Sequence, residues 1–130
     1  RAERMAILPL ARVIGYAAAA VKPLHVFACP PMAIRKMLSV TGLSLADFDL
    51  IELNEAFSSQ TLANGREMGW DWDKVNVNGG AIALGHPIGA RGARVLTTLI
   101  YALKDRGLKK GLASLCLGGG GAVALAIEVI

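Results

Sequence analysis

The chain has 130 residues, of which 54% are hydrophobic and 18% are charged, and its formal net charge at pH 7 is +4. This length suits one domain with its own core and is too short for two ordinary domains. Basic residues are scattered apart from those between Lys104 and Lys110, and few aromatic residues lie beside them, so we expect no nucleic-acid partner.

The first predicted element is the apolar segment from Leu10 to Val21. Its run of alanines gives no decisive periodicity, so helix and strand both remain open, and we favour a buried strand. A helix is predicted next, opened by Pro30 and Pro31 and ended by Gly42. Three apolar side chains share one of its faces: Ile34, Met37 and Leu38.

A strand, a turn and a helix are predicted in the middle of the chain. Residues 49–53 are strand-like and stop at Asn54, and residues 55–68 have a helical composition that ends at Gly69. The segments that follow are a loop at residues 70–74, a short apolar run at residues 75–77 and a glycine-rich stretch.

The end of the chain predicts a long helix and a hairpin. The helix runs from about Gly89 to Arg106 and is closed by Gly107. Its apolar stripe consists of Val95, Leu96, Leu99, Ile100 and Leu103. The two apolar runs that follow, residues 112–117 and 122–129, are typical of strands at the centre of a sheet. The order of elements predicts a layered α/β domain with a mixed β-sheet and helices on both faces.

Three segments combine polar or reactive side chains with a predicted strand end or helix start, where the sites of α/β sheets gather. The first is Asn54-Glu55-Ala56-Phe57. A structural explanation is open here, because asparagine is a good helix N-cap and an acidic residue in the first turn suits the helix dipole.

The second segment, from Asn78 to Ala90, is rich in glycine and holds His86 in a Gly-His-Pro turn. Glycine lets the backbone approach a ligand closely, and a histidine fixed before proline can keep its imidazole at a defined position. A glycine-rich loop with a structural histidine is the alternative.

The third segment is Cys116 and, after Leu117, the glycine run from Gly118 to Gly121. The exposed N–H groups of such a turn can form an oxyanion hole, and a cysteine can act as acid or base when its pKa is near neutrality. A buried, inert cysteine before a tight turn is the alternative.

Taken together, the three segments resemble the C-terminal domain of thiolases, the acetyl-CoA C-acetyltransferases and 3-ketoacyl-CoA thiolases. The resemblance covers nearly the whole chain and depends on three motifs: Asn-Glu-Ala-Phe, Asn-Gly-Gly-Ala-Ile-Ala-Leu-Gly-His-Pro-Ile-Gly-Ala and Cys-x-Gly-Gly-Gly. It implies an acyltransferase that condenses acetyl-CoA and an acyl-CoA to a 3-ketoacyl-CoA and CoA, or runs the reverse thiolysis. It also implies coenzyme A thioesters as substrates, with no tightly bound cofactor and no metal.

The resemblance assigns roles to four residues. His86 activates a nucleophilic cysteine and, with a water held by Asn54, stabilises a thioester oxyanion. Cys116 moves a proton to and from the α-carbon or the leaving thiol, and the N–H of Gly118 binds a second oxyanion. A Claisen condensation needs two such sites, because an enolate and an acyl-enzyme oxyanion form in the same pocket.

The nucleophilic cysteine of a thiolase lies in its N-terminal half, together with most of the contacts to coenzyme A. Neither Cys29 nor Cys116 occupies that motif, so the expected partner is a thiolase N-terminal half, and we expect no turnover without it. The high hydrophobic content fits a further expectation, a homo- or hetero-oligomer.

Two other functions remain open at this point. One is a thiolase-like module that serves as a non-catalytic scaffold or regulatory partner, although such a role needs none of His86, Asn54 and Cys116. The other is a condensing enzyme of fatty-acid or polyketide synthesis, which ranks third because that class normally carries different histidine and asparagine motifs here.

Three sites, which together comprise four residues, depart from the usual family pattern. Cys29 replaces a common glycine, Arg91 replaces a small residue, and Gly121-Ala122 replaces a Met-Gly pair. We expect pocket shape and acyl preference to differ accordingly, whereas every proton-transfer group is retained.

The cellular context is inferred from simple features. The two cysteines have no disulfide or metal-ligand spacing, which favours a reducing compartment, and a cytoplasmic location is expected by default. The longest uncharged stretch, residues 111–127, is interrupted by the glycine run and falls short of the roughly 20 apolar residues of a membrane helix. Residues 1–4 lack an initiator methionine and a signal-peptide pattern, so we expect a chain cut from something longer or separately processed.

Overall fold

The computed structural model describes residues 2–130, with the exception of the side chain of Glu3. Its strands are β1 (Ala11–Ala20), β2 (Leu50–Leu53), β3 (Lys110–Leu117) and β4 (Gly121–Val129). They form one sheet in the order β1-β4-β3-β2. β2 is parallel to β3, whereas β4 is antiparallel to its neighbours β1 and β3. The predicted mixed sheet, with the hairpin strands β3 and β4 at its centre, is confirmed.

Helices cover both faces of this sheet, as predicted. They are α1 (Cys29–Thr41), α2 (Ser58–Met68), the short α3 (Ala81–Leu84) and α4 (Arg91–Asp105). α1 packs on one face through Ile34 and Met37, and α4 packs on the other face through Val95, Leu99 and Leu103. The helices α1, α2 and α4 end at or next to the predicted glycines: Gly42, Gly69 and Gly107.

β1 is a strand, as favoured, but the expectation that it is buried is wrong. It lies at an edge of the sheet, and Ala17 is the one residue of the strand that is buried. Val13 and Tyr16 are 56% and 74% exposed. The reason is that α4 packs mainly over β2 and β3, and therefore leaves the β1 side of the same face uncovered.

The uncovered region is a groove of about 250 Å³ between α4 and β1. We call it the apolar groove, because nearly all of its lining is hydrophobic. Its main lining side chains are Tyr16, Val95, Leu96, Leu115, Val123 and Leu125.

The helix α2 begins three residues later than predicted, at Ser58 instead of Glu55. The residue before it, Phe57, is extended and makes no side-chain capping bond. Asn54 instead continues the strand, since its backbone N–H donates to the carbonyl oxygen of Ser114 at 2.9 Å. The explanation of Asn54 as a helix cap is therefore wrong.

The segment between α2 and α4 is more ordered than predicted. Val75, in the short apolar run, pairs in parallel with Ile51 of β2. The glycine-rich stretch contains α3, a helix that the composition did not indicate. Within residues 2–130, no helix combines the length and the apolar character required to cross a membrane.

Candidate active site

The carboxyl ends of β1, β2 and β3 meet at one edge of the sheet, which we call the carboxyl edge. There, Leu53 of β2 pairs with Ser114 of β3, and β1 ends opposite the start of β4. Asn54 and Cys116 lie one and two residues beyond the Leu53–Ser114 pair, on neighbouring strands. Gly118 follows the end of β3. Three of the four predicted site residues therefore share this edge.

The amide of Asn54 is completely buried. Neither its Oδ1 nor its Nδ2 has a hydrogen-bond partner among the residues that the structure describes. A buried polar group without a partner costs about 1–3 kcal/mol, so such groups need an explanation. This amide is available to hold a water molecule or a substrate oxygen.

His86, the fourth predicted residue, lies in the turn between α3 and α4. Backbone hydrogen bonds hold the turn on both sides: Gly85 donates to the carbonyl of Ala81, and Ala90 donates to the carbonyl of Pro87, each at 2.9 Å. The imidazole Nδ1 is buried and has no hydrogen-bond partner among the described residues. The turn therefore fixes the backbone of His86 while one ring nitrogen remains unpaired.

The helix α4 brings this turn to the carboxyl edge. A Cβ on Gly92, in its first turn, would lie 3.9 Å from Leu115 near the end of β3. Further along the helix, Leu99 packs against Gly111 at the start of β3. The helix thus runs away from the carboxyl edge, and the turn with His86 precedes it at that edge.

Cys116 is a buried thiol outside any disulfide. Burial raises its pKa above the ordinary value, and the guanidinium of Arg91 opposes part of this rise. Cys29 is a second buried thiol outside any disulfide, and its pKa is raised by burial and further by the charge of Cys116. The two thiols therefore lie close enough for the charge of one to affect the pKa of the other.

The glycine turn after β3 is held against the segment that follows β1. Gly120 has a φ of 98°, and a Cβ there would lie 2.3 Å from the carbonyl oxygen of Val21, so a side chain is excluded. The N–H of Val21 donates to the carbonyl of Gly120 at 2.9 Å. Gly118 is exposed, and a Cβ on it would have no described atom within 4 Å. The turn is thus anchored at Gly120 and open at Gly118.

Sequence reasoning missed an ion pair at this edge. Glu52 of β2 is buried, and its Oε1 accepts a hydrogen bond from Nη1 of Arg94 at 2.8 Å. Burial raises the pKa of Glu52 to about 7, against the lowering effect of Arg94. The signal in the sequence was a single carboxylate between Ile51 and Leu53 in an otherwise apolar strand.

Sequence reasoning also missed two contacts made by the first motif. Phe57 packs edge-to-face on Phe27, with ring centroids 5.2 Å apart, and so forms an apolar wall beside the edge. Glu55 accepts hydrogen bonds from Asn76 and Ile82 at 2.8 and 3.0 Å. The partners are 21 and 27 residues away along the chain, so no local pattern indicates them.

The carboxyl edge combines a thiol, a buried amide and an open glycine turn, and the turn with His86 directly precedes the helix that packs on it. Such groups can accept and return protons and can donate hydrogen bonds to an oxyanion. Within the described part of the chain, no three or more His, Cys, Asp or Glu side chains are grouped as metal ligands.

Comparison with protein families and curated proteins gives consistent matches. A family model described as the C-terminal domain of thiolase matches residues 7–129. The acetyl-CoA acetyltransferase of Escherichia coli is 55% identical over 122 residues, which are 94% of this chain and 31% of that protein. The one of Chromobacterium violaceum is 54% identical over 128 residues, 98% of this chain and 33% of that protein. This chain spans about a third of the length of the curated relatives it matches.

Solved structures agree with the family match. The acetyl-CoA acetyltransferase of Bacillus anthracis superposes with a TM-score of 0.95 at 52% identity, over 99% of this chain and 33% of that one. Human mitochondrial 3-ketoacyl-CoA thiolase superposes with the same TM-score at 43% identity, over 99% of this chain and 33% of that one.

Proposed function

The chain belongs to the thiolase family, and from this premise we propose that it is the C-terminal part or subunit of a thiolase. The proposed reaction condenses acetyl-CoA and an acyl-CoA to a 3-ketoacyl-CoA and CoA, and runs in reverse as thiolysis. One observation carries the proposal: a buried unpaired amide, a buried thiol and an open glycine turn share one sheet edge with the turn that holds His86. The relatives named acetyl-CoA acetyltransferase support an acyltransferase.

In the first half-reaction, the nucleophilic cysteine comes from the thiolase N-terminal half. His86 accepts the proton of that thiol, and the thiolate attacks the acyl-CoA thioester. Coenzyme A leaves with the proton of the Cys116 thiol, which becomes the thiolate of the next half-reaction. His86 and a water held by Asn54 stabilise the oxyanion that forms. The unpaired amide of Asn54 and the unpaired Nδ1 of His86 support this assignment.

In the second half-reaction, Cys116 acts as the base. Its thiolate removes an α-proton from acetyl-CoA, the resulting enolate attacks the acyl-enzyme carbonyl, and the cysteine of the N-terminal half leaves as a thiolate. The N–H of Gly118 donates to the oxyanion on the second thioester. Because burial raises the pKa of Cys116, its thiolate is a stronger base than an ordinary cysteine thiolate. The charge of Arg91 favours the ionised form that this step requires.

A non-catalytic scaffold or regulatory module is the second candidate. A scaffold requires a stable fold and a binding surface, and needs neither a buried amide nor a buried thiol at the ends of its strands. Asn54 and Cys116 place both groups at the carboxyl edge. The catalytic function is therefore favoured.

The proposed partner is a thiolase N-terminal half that covers the apolar groove. Most of the length of each curated relative lies outside the part that this chain matches, and a groove lined by Leu96, Leu115 and Leu125 favours an apolar occupant. Burial of apolar surface contributes about 25 cal/mol per Å². A homo- or hetero-oligomer and a cytoplasmic location complete the proposal, with acyl-CoA as substrate and no tightly bound cofactor.

The test is acetoacetyl-CoA thiolysis by this chain alone and in a mixture with a candidate thiolase N-terminal half. We expect activity in the mixture and none from either part alone. A stable complex without thiolysis would favour the scaffold function. Thiolysis by the chain alone would contradict the assignment of the nucleophile to the N-terminal half.

A further inference from the structure

Glu55 lies outside α2 and makes long-range contacts. Its Oε1 accepts a hydrogen bond from Nδ2 of Asn76 at 2.8 Å, and its Oε2 accepts one from the backbone N–H of Ile82 at 3.0 Å. Both oxygens of the carboxylate are therefore engaged by the segment that leads to His86. A carboxylate suits this position because both partners are donors.

The contact with this segment is close. A Cβ on Gly80 would lie 2.1 Å from the carboxyl carbon of Glu55, so the backbone at Gly80 approaches the carboxylate to a distance that only glycine permits. Gly80 immediately precedes α3, and Ile82 is the second residue of that helix. Because Glu55 directly follows Asn54 in the chain, its carboxylate holds the start of α3 close to Asn54.

Asn76 fixes the other side of the same contact. Its Oδ1 accepts the N–H of Leu53 at 2.7 Å, and its Nδ2 donates to the carbonyl of Leu53 at 3.0 Å as well as to Glu55. These bonds determine the orientation of the amide. If its oxygen and nitrogen were exchanged, the nitrogen would face the N–H of Leu53 and the oxygen would face the carbonyl of Leu53. Asn76 therefore joins the last residue of β2 to Glu55.

Backbone hydrogen bonds order the short segment between these contacts and His86. Gly79 donates to the carbonyl of Asn76 at 2.8 Å, and within α3 Leu84 and Gly85 donate to the carbonyls of Gly80 and Ala81, each at 2.9 Å. His86 is the next residue. Glu55 and Asn76 thus join the end of β2, next to Asn54, to the ordered segment that leads to His86.

We propose that Glu55 is a positioning residue whose carboxylate holds the His86 turn at a fixed distance from Asn54, the pair that forms the first oxyanion site. The inference rests on the proposed function, because it concerns the geometry of that site. Its effect follows from the sensitivity of catalysis to placement, since a displacement of about 1 Å can lower a rate about 100-fold.

The decisive variant is Glu55→Gln. The glutamine amide has one acceptor end and one donor end, so one of the two donors, Asn76 Nδ2 or Ile82 N–H, must face another donor. The matched control is Glu67→Gln, which removes an exposed carboxylate of α2 that pairs with Arg35. Asn76→Gly is the second variant, because it removes the bridge and tolerates the positive φ of 49° at this position.

The experiment uses the active complex with a thiolase N-terminal half and measures two properties. One is the acylation rate of the partner cysteine together with KM for acetyl-CoA, and the other is hydrogen exchange of the amides at residues 79–85. For Glu55→Gln we expect acylation to fall about 10- to 100-fold with KM little changed, and the protection of Ile82 to be lost. Glu67→Gln should match the wild type in both properties.

Wild-type acylation or unchanged exchange at residues 79–85 in Glu55→Gln would overturn the inference. If Glu55→Gln does not fold, the same two criteria apply to Asn76→Gly. An inactive wild-type complex would contradict the proposed function alone, and exchange would then decide: protection lost only at residues 79–85 supports the positioning role, and unchanged protection overturns it.

Discussion

Asn54 shows how burial separates two explanations that the sequence leaves open. A capping asparagine would bond to N–H groups in the first turn of α2, but that helix starts at Ser58 and Asn54 belongs to the end of the strand. Its amide is buried and unpaired. The amide is therefore available to bind the water of the proposed oxyanion site.

At the scale of single residues, the substitution His86→Ala tests whether His86 activates the nucleophilic cysteine. In an active complex with a thiolase N-terminal half, we expect acylation of the partner cysteine to fall about 10²- to 10⁴-fold, because general base catalysis contributes that much. Rapid-quench measurement of acyl-enzyme formation checks this. Acylation at the wild-type rate would exclude His86 as the activating base.

Cys116→Ala separates the two half-reactions. Acylation should remain largely intact, because the departing thiolate of coenzyme A can also take its proton from water, whereas carbon–carbon bond formation should fall about 10²- to 10⁴-fold. The measurements are acyl-enzyme formation from acetyl-CoA and acetoacetyl-CoA synthesis by the same preparation. Undiminished condensation would contradict the role of Cys116 as proton carrier.

At the scale of elements, Glu52 and Arg94 join the end of β2 to the first turns of α4. The pair is buried, and Nε and Nη2 of Arg94 have no hydrogen-bond partner among the described residues. Above about pH 7, where Glu52 is ionised, removal of either partner leaves an uncompensated buried charge. The pair therefore couples β2, which leads to Asn54, to the helix that follows His86.

The raised pKa of Glu52 predicts a pH dependence of stability. In the folded state the pKa of this carboxyl is about 7, whereas its ordinary pKa, which applies in an unfolded chain, is 4.5. Between these values the unfolded state has released a proton that the folded state still binds, so stability falls as the pH rises from 4.5 to about 7.

Glu52→Gln removes the titration of this carboxyl. Comparing the wild type with the variant therefore separates the effect of Glu52 on stability from that of the other titrating groups. Relative to the variant, the wild type should lose stability on the order of 1–3 kcal/mol across that pH range and show no further relative change above it. Chemical denaturation at a series of pH values measures the difference. Parallel curves for the two proteins would show that Glu52 titrates normally in the folded state.

At the scale of the whole molecule, the apolar groove is a large uncovered surface. The edge strand β1 exposes Val13 and Tyr16, and the groove beside them is lined almost entirely by hydrophobic side chains. Contiguous apolar surface of this kind marks interaction sites on proteins. The groove is therefore the place where a substitution should impair assembly without altering the core.

Tyr16→Asp tests the groove as the surface for the N-terminal half. Because Tyr16 is 74% exposed, the substitution should leave the fold intact, but it places a charge in the interface and should weaken complex formation about tenfold or more. The control is Val40→Asp, which alters a residue 69% exposed on α1, at the opposite face of the sheet. Equal binding by the two variants would exclude the groove as the docking surface.

The sequence by itself determined most of the fold. The ends of α1 and α4 and the central hairpin follow from periodicity, from glycine stops and from unbroken apolar runs, all of which are local properties of the chain. The start of α2 was placed three residues early because Glu55 and Phe57 fit a helix in composition, whereas tertiary contacts hold them outside it.

The sequence also identified the four candidate residues, His86, Asn54, Cys116 and Gly118, through motifs that resemble a known family. Only the tertiary structure decided that Asn54, Cys116 and Gly118 share the carboxyl edge, that the side chain of Asn54 is buried and that β1 is an exposed edge strand. The physical reason is that burial and hydrogen-bond partners depend on segments far apart in the chain, as in the contact of Glu55 with Ile82. Local periodicity reports which residues are apolar, but not which of them another part of the molecule covers.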